Sequence, residues 1–134
     1  MKRYSEKILV AWAECISGNE EIRDWLMKNG YPELGLFRFA LFFDKKSCAW
    51  LFKNAPHLLA TINAIEGKKP AISWLERNNY KLLLRIAKAA DNDKEEMNWL
   101  LKNDPLFAAI ASRIKTVKNE IEEANNDVHR WGYQ

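Results

Sequence analysis

Asn98-Trp99-Leu100-Leu101-Lys102-Asn103-Asp104 (NWLLKND) is the fourth version of one short phrase in this chain. WLMKN stands at residues 25–29, WLFKN at 50–54, WLERN at 74–78 and WLLKN at 99–103. The tryptophans fall at 25, 50, 74 and 99, so the chain carries an internal repeat of about 25 residues. Repeats of that size mark stacked supersecondary units.

Aligned on Trp, the four units agree well upstream. Sixteen residues before it stand Leu9, Leu34, Leu58 and Leu83; ten before it stand the small residues Cys15, Ala40, Ala64 and Ala89. Between these lie Trp12, Phe37, Thr61 and Ile86, where Thr61 alone is not apolar. Apolar or small residues at these intervals follow helical spacing and predict a first helix of about ten residues. Seven residues before Trp stand Gly18, Phe43, Gly67 and Asn92. Gly and Asn accept positive φ and can close that helix. Phe43 does not fit this rule, and Asp44 after it is expected to cap the next helix.

The second helix of each unit carries the Trp-Leu pair. Asn19 or Ser17, and the Asp93-Lys94-Glu95-Glu96 run, offer N-terminal caps, and Pro70 suits a first turn. Trp25, Trp50, Trp74 and Trp99 are expected to be buried between paired helices and against the neighbouring unit. Leu26, Leu51, Leu75 and Leu100 extend that face. The recurring Asn is expected to end the helix in a left-handed conformation, and the preceding base to favour the negative end of the helix dipole. Pro32, Pro56 and Pro105 then open the next helix.

These features predict an all-α solenoid of about four to five short helix pairs. Its units span 6–30, 31–55, 56–79 and 80–104, followed by a long C-terminal helix over 105–131. The last helix reads Ile110, Ile114, Val117, Ile121, Ala124, Val128, Trp131, in steps of four and three. A capping helix laid on the last repeat accounts for that narrow apolar stripe. The same spacing also allows a self-association seam through Ile114, Val117, Ile121 and Val128, giving a monomer or a weak homodimer.

In units one and three the spacing resembles the second-helix half of an ankyrin repeat. Gly18 and Gly67 open it, an aliphatic residue follows four on, a Trp-Leu pair at seven and eight, and Gly30 closes the first; Ala64 stands where ankyrin repeats keep a small residue. The resemblance implies a superhelix that binds a protein partner through a concave face. The Thr-Pro-Leu-His opening of an ankyrin unit is absent, and units of about 25 residues leave no room for its β-hairpin.

Composition bounds the function. The chain has 134 residues, a formal charge of +3 and 48% apolar residues, enough for one packed domain without the strong basic excess of many nucleic-acid binders. Cys15 and Cys48 lack metal-ligand spacing and read as free thiols in a reducing compartment. Without a secretory leader or a spanning segment, the expectation is a cytoplasmic protein. No phosphate loop, nucleophile elbow or zinc motif occurs, so neither catalysis nor a cofactor or metal is expected. His57 is expected to be exposed. Asp91, Asp93, Glu95 and Glu96 read as capping acids rather than a cation site.

The strongest functional signal is basic. Lys28, Lys53, Arg77 and Lys102 recur once per unit, with Lys45, Lys46, Lys68 and Lys69 in the turns. Such an edge would suit an acidic protein partner, or a nucleic-acid backbone bound in a salt-sensitive way. The row also has a local role as dipole partners at helix ends. An adaptor module binding an unidentified protein is the first expectation, and nucleic-acid binding the alternative.

Overall fold

The computed structural model describes the backbone of residues 4–132 and the side chains of 4–125. Among the described residues the fold is all-helical: α1 (Glu6–Ile16), α2 (Glu20–Lys28), α3 (Pro32–Leu41), α4 (Lys45–Asn54), α5 (Pro56–Ile65), α6 (Lys69–Arg77), α7 (Lys81–Ala90), α8 (Lys94–Asn103) and α9 (Pro105–Gly132). Odd-numbered helices form an inner layer in which α1, α3, α5 and α7 touch in order. Each even-numbered helix packs on its own partner and on the next inner helix, while successive even helices make no extended contact with one another. This is the helical-repeat arrangement expected from the sequence.

Local chemistry sets many of the boundaries. Side chains of Ser5, Asn19, Asp44 and Asp93 accept hydrogen bonds from the backbone N–H three residues on, satisfying a donor that the first helical turn leaves free. Asp104 does the same for Phe107 at 3.3 Å. Ser17 is not a cap of α2; it closes α1. The first helix of each unit ends at positive φ at Gly18 (103°), Phe43 (62°), Gly67 (77°) and Asn92 (72°). Phe43 therefore obeys the repeat's geometry despite its Cβ, at a strain cost of roughly 1–2 kcal/mol. Asp44 caps α4 as expected, and its hydrogen bonds from the Ser47 hydroxyl and N–H hold its carboxyl below the usual value.

The repeated Asn works differently from the expectation. Asn29 and Asn78 have φ of −106° and −98°, outside the left-handed region. Their side-chain amides donate to the carbonyl of the repeated Trp four residues back, as do those of Asn54 and Asn103, at 2.7, 3.0, 2.8 and 2.9 Å for Trp25, Trp50, Trp74 and Trp99. The signature is thus a C-terminal carbonyl cap built from side chains. Positive φ falls one residue later, at Gly30 (92°) and Asn79 (63°), and only in units one and three. Units two and four omit that residue and pass through Ala55 (φ −148°) and Asp104 (φ −154°) directly into Pro56 and Pro105. This single residue explains why the middle tryptophan interval is 24 and its neighbours 25.

A test separates the two roles of Asn. If positive φ were the requirement, Asn78→Gly would be tolerated. Because the side chain supplies the bond, the variant is expected to lose about 1 kcal/mol in urea denaturation, from the missing hydrogen bond and the added freedom of Gly in the unfolded chain. Unchanged stability would return Asn to a purely conformational role.

The core follows the repeat. Leu9, Leu34, Leu58 and Leu83, and Trp12, Phe37, Thr61 and Ile86, are buried in register. Thr61, the polar exception, donates its hydroxyl to the His57 carbonyl at 2.8 Å and so enters the core satisfied. The long helix α9 packs against α7 and α8 and also against α1, joining the last unit to the first. Ala108, Ile110, Ala111, Ile114 and Val117 are its buried residues. Lys118 donates to the Ile65 carbonyl at the end of α5 at 2.8 Å and lies 3.4 Å from Asp91 at the end of α7. Arg113 reaches Ser17 and Glu14 of α1.

This placement corrects the self-association stripe. Ile114 and Val117 are consumed inside the chain, Ile121 is half-buried, and Val128 lies outside the described side chains. A seam needs its apolar positions free, and two of these are already packed on α9's own neighbours.

Candidate functional site

The repeat register decides what each outer helix shows to solvent. Leu26, Leu51, Leu75 and Leu100 are fully buried. At 100° per residue the next two positions turn away from that contact. The first of them holds Met27, Phe52, Glu76 and Leu101, the second Lys28, Lys53, Arg77 and Lys102, all exposed. Phe52 is 73% and Leu101 57% exposed, high for large apolar side chains. Among the described residues none of the four bases makes an ion pair. The result is a row of apolar–cation pairs, most open at Phe52-Lys53 and Leu101-Lys102; Met27 is partly laid over Gly35 of α3, and unit three has Glu76 in the apolar place.

Lys45, Lys46, Lys68 and Lys69 do not join this row. They lie in or beside the first turns of α4 and α6, whereas Lys53 and Arg77 lie in the last turns. Eight residues of helix separate Lys45 from Lys53 by about 12 Å. The eight bases therefore form two groups at opposite helix ends. The turn lysines oppose the helix dipole, which favours cations only at the other end.

The repeated tryptophans are not the core residues the sequence suggested. Trp25 is 44% and Trp99 38% exposed, and Trp50 and Trp74 are half-buried. Leu is the residue that enters the core; Trp25 and Trp74 lie against Tyr31 and Tyr80 of the following connection. Trp25 stacks on Tyr31 and Trp74 on Tyr80, while the Arg85 guanidinium sits 3.8 Å from the Trp99 ring centre. Three of the four indoles thus have a face covered by Tyr or Arg, so they do not form an open stacking ladder.

His57 is likewise not an exposed first-turn residue. It stacks on Tyr80 with ring centres 5.2 Å apart; its Nε2 is buried without a partner, and burial lowers its pKa below the ordinary value. Cys15 is buried, its thiol directed at the carbonyls of Leu34 and Gly35, and burial pushes its pKa up to about 11. Burial also raises Cys48. Raised thiols are poor nucleophiles at neutral pH. Both cysteines are free.

The acidic run has structural duties. Asp93 caps α8, Asp91 lies near Lys118, and Glu96 pairs with Arg85 at 2.8 Å rather than closing a reciprocal capping box. Among the described residues no cluster of His, Cys, Asp or Glu could hold a metal ion, and no helix is long and apolar enough to cross a membrane.

Comparisons with protein-family models, curated proteins and solved structures find no match for this chain. Its functional reading rests on its own surface.

Proposed function

We propose that this chain is a non-catalytic protein-interaction module that binds an acidic, partly apolar partner segment across its outer helices. The observation that carries this reading is the exposed register Met27-Lys28, Phe52-Lys53 and Leu101-Lys102. Exposed large apolar side chains repeated in one row mark a contact surface, and the adjoining bases select for acidic neighbours and speed encounter. An ankyrin-like module is one architectural analogy, carried by the repeat spacing alone. Here α9 joins α1 to α7, and the short connections hold no hairpin, so recognition passes to the outer helices. Two free thiols, Cys15 buried and Cys48 partly so, fit a cytoplasmic setting.

The test is an affinity capture from a lysate of the source organism, with and without nuclease, using wild type and the double variant Phe52→Ser, Leu101→Ser. A protein partner that survives nuclease and is lost with the double variant supports the reading. A partner retained by the double variant rejects the row.

The four unpaired bases favour a second reading, nucleic-acid binding along the same edge. It expects recovery to collapse with nuclease, and affinity to fall steeply with salt and on reversal of Lys28, Lys53, Arg77 and Lys102 to Glu.

A further inference from the structure

From α3 onward, each inner helix has one stripe packed under the outer helix before it. In α3 this stripe begins at Gly35, where a Cβ would come within 2.7 Å of the Met27 sulfur of α2, and continues at Phe39 beneath Arg23. The matching residues are Leu59 in α5, half-buried, and Leu84 in α7 and Ala108 in α9, 7% and 2% exposed. In α1 it is Val10, which no helix covers among the described residues and which is 50% exposed. Val10 and Ala11, with Ile22 and Trp25 of α2, line an open apolar groove of about 280 Å³ at this end of the array. Terminal units of a solenoid ordinarily present a polar outer face; α1 presents an apolar one.

The groove carries its own indication of what fills it. Its other lining residues include Lys7 and Glu14, one helical turn to either side of the Val10-Ala11 pair. The two charges lie symmetrically about the midpoint of that pair and have opposite sign. A second α1 laid antiparallel across a twofold axis there would set Lys7 of each copy against Glu14 of the other. It would also set Val10 against Ala11, whose small side chain permits close helix approach. An interface built from one patch on both copies is the commonest form of homo-oligomer contact. We infer that the α1–α2 groove is a homodimer interface, with α1 of two copies paired antiparallel about Val10 and Ala11. Glu14 lies 3.4 Å from Arg113 in a half-exposed pair that leaves its second carboxylate oxygen free to meet Lys7 of the partner copy.

Sedimentation of the full chain from about 1 μM to about 1 mM tests this, a range that covers weak to moderate dimers. Wild type should shift from monomer to dimer, and Val10→Glu should weaken the association about tenfold or more with an unchanged melting curve, because Val10 is already half in water. Lys7→Glu and Glu14→Lys should each weaken it, and the two together should restore it. A wild type that remains monomeric overturns the inference and leaves the groove to a helix of another protein. A dimer indifferent to Val10→Glu also overturns it, as does a double reversal that fails to rescue.

Discussion

Ile114→Asp is expected to leave the protein unfolded or nearly so in urea denaturation followed by helical circular dichroism. Ile114 is fully buried on α9, the helix that touches α1 at one end of the array and α7 and α8 at the other. A carboxylate placed there has no described cation built to receive it, and an unpaired buried charge costs several kcal/mol. Total stability of a domain this size is about 5–15 kcal/mol. A graded variant keeps the claim testable if the first gives no soluble protein: Ile114→Ala should cost about 2–5 kcal/mol. The same change read as a self-association seam would alter the mass of the particle and leave the monomer's stability almost intact. A stable Ile114→Ala monomer would therefore show that α9 does not close the array. Lys118→Met should add an independent, smaller loss, because the Ile65 carbonyl it satisfies would lose its donor.

Leu26→Ala is expected to destabilise the fold more than Trp25→Ala, although Trp is much the larger residue. Leu26 is fully buried, and its truncation leaves a cavity between α2 and the inner layer, at a cost of about 2–5 kcal/mol. Trp25 is 44% exposed and keeps one ring face against Tyr31 at 6.5 Å, so its removal should cost about 1–2 kcal/mol from lost area and stacking. The Asn29 bond to the Trp25 carbonyl survives in both variants, because it uses backbone rather than indole. Thermal melts of the two variants decide the point. The reverse order would place the repeated Trp, not the Leu, at the centre of each unit.

The functional surface was only partly legible. The bases Lys28, Lys53, Arg77 and Lys102 could be seen as a row from their spacing alone. The apolar row beside them was not seen, because Met27, Phe52 and Leu101 look like ordinary core candidates until the neighbouring Leu is known to take the buried position. Lys45, Lys46, Lys68 and Lys69 were grouped with that edge although their place just after the turn puts them at the start of the second helix, about 12 Å from the bases at its end. The α1 groove had a signal in the register: Val10 matches Leu59 and Leu84, yet among the described residues no outer helix stands before α1 to cover it.

Local chemistry is what the sequence by itself determined. Helical periodicity, caps at Asn19, Asp44 and Asp93, prolines at helix starts and small residues at ten-residue offsets each act over a few residues, so they predicted the helices, their order and the repeat. Side-chain depth and closure were decided only by tertiary structure. Whether Trp or Leu enters the core depends on the distance between packed helices, and a fully buried Leu leaves the larger indole partly exposed. Whether the stripe of α9 faces a second molecule or its own chain depends on where α1 lies, more than ninety residues earlier in sequence. Phe43 joins the two levels. Its Cβ disfavours positive φ, yet the packing of α3 against α4 and the Asp44 cap hold it at 62°, because a strained residue persists where its surroundings leave no alternative.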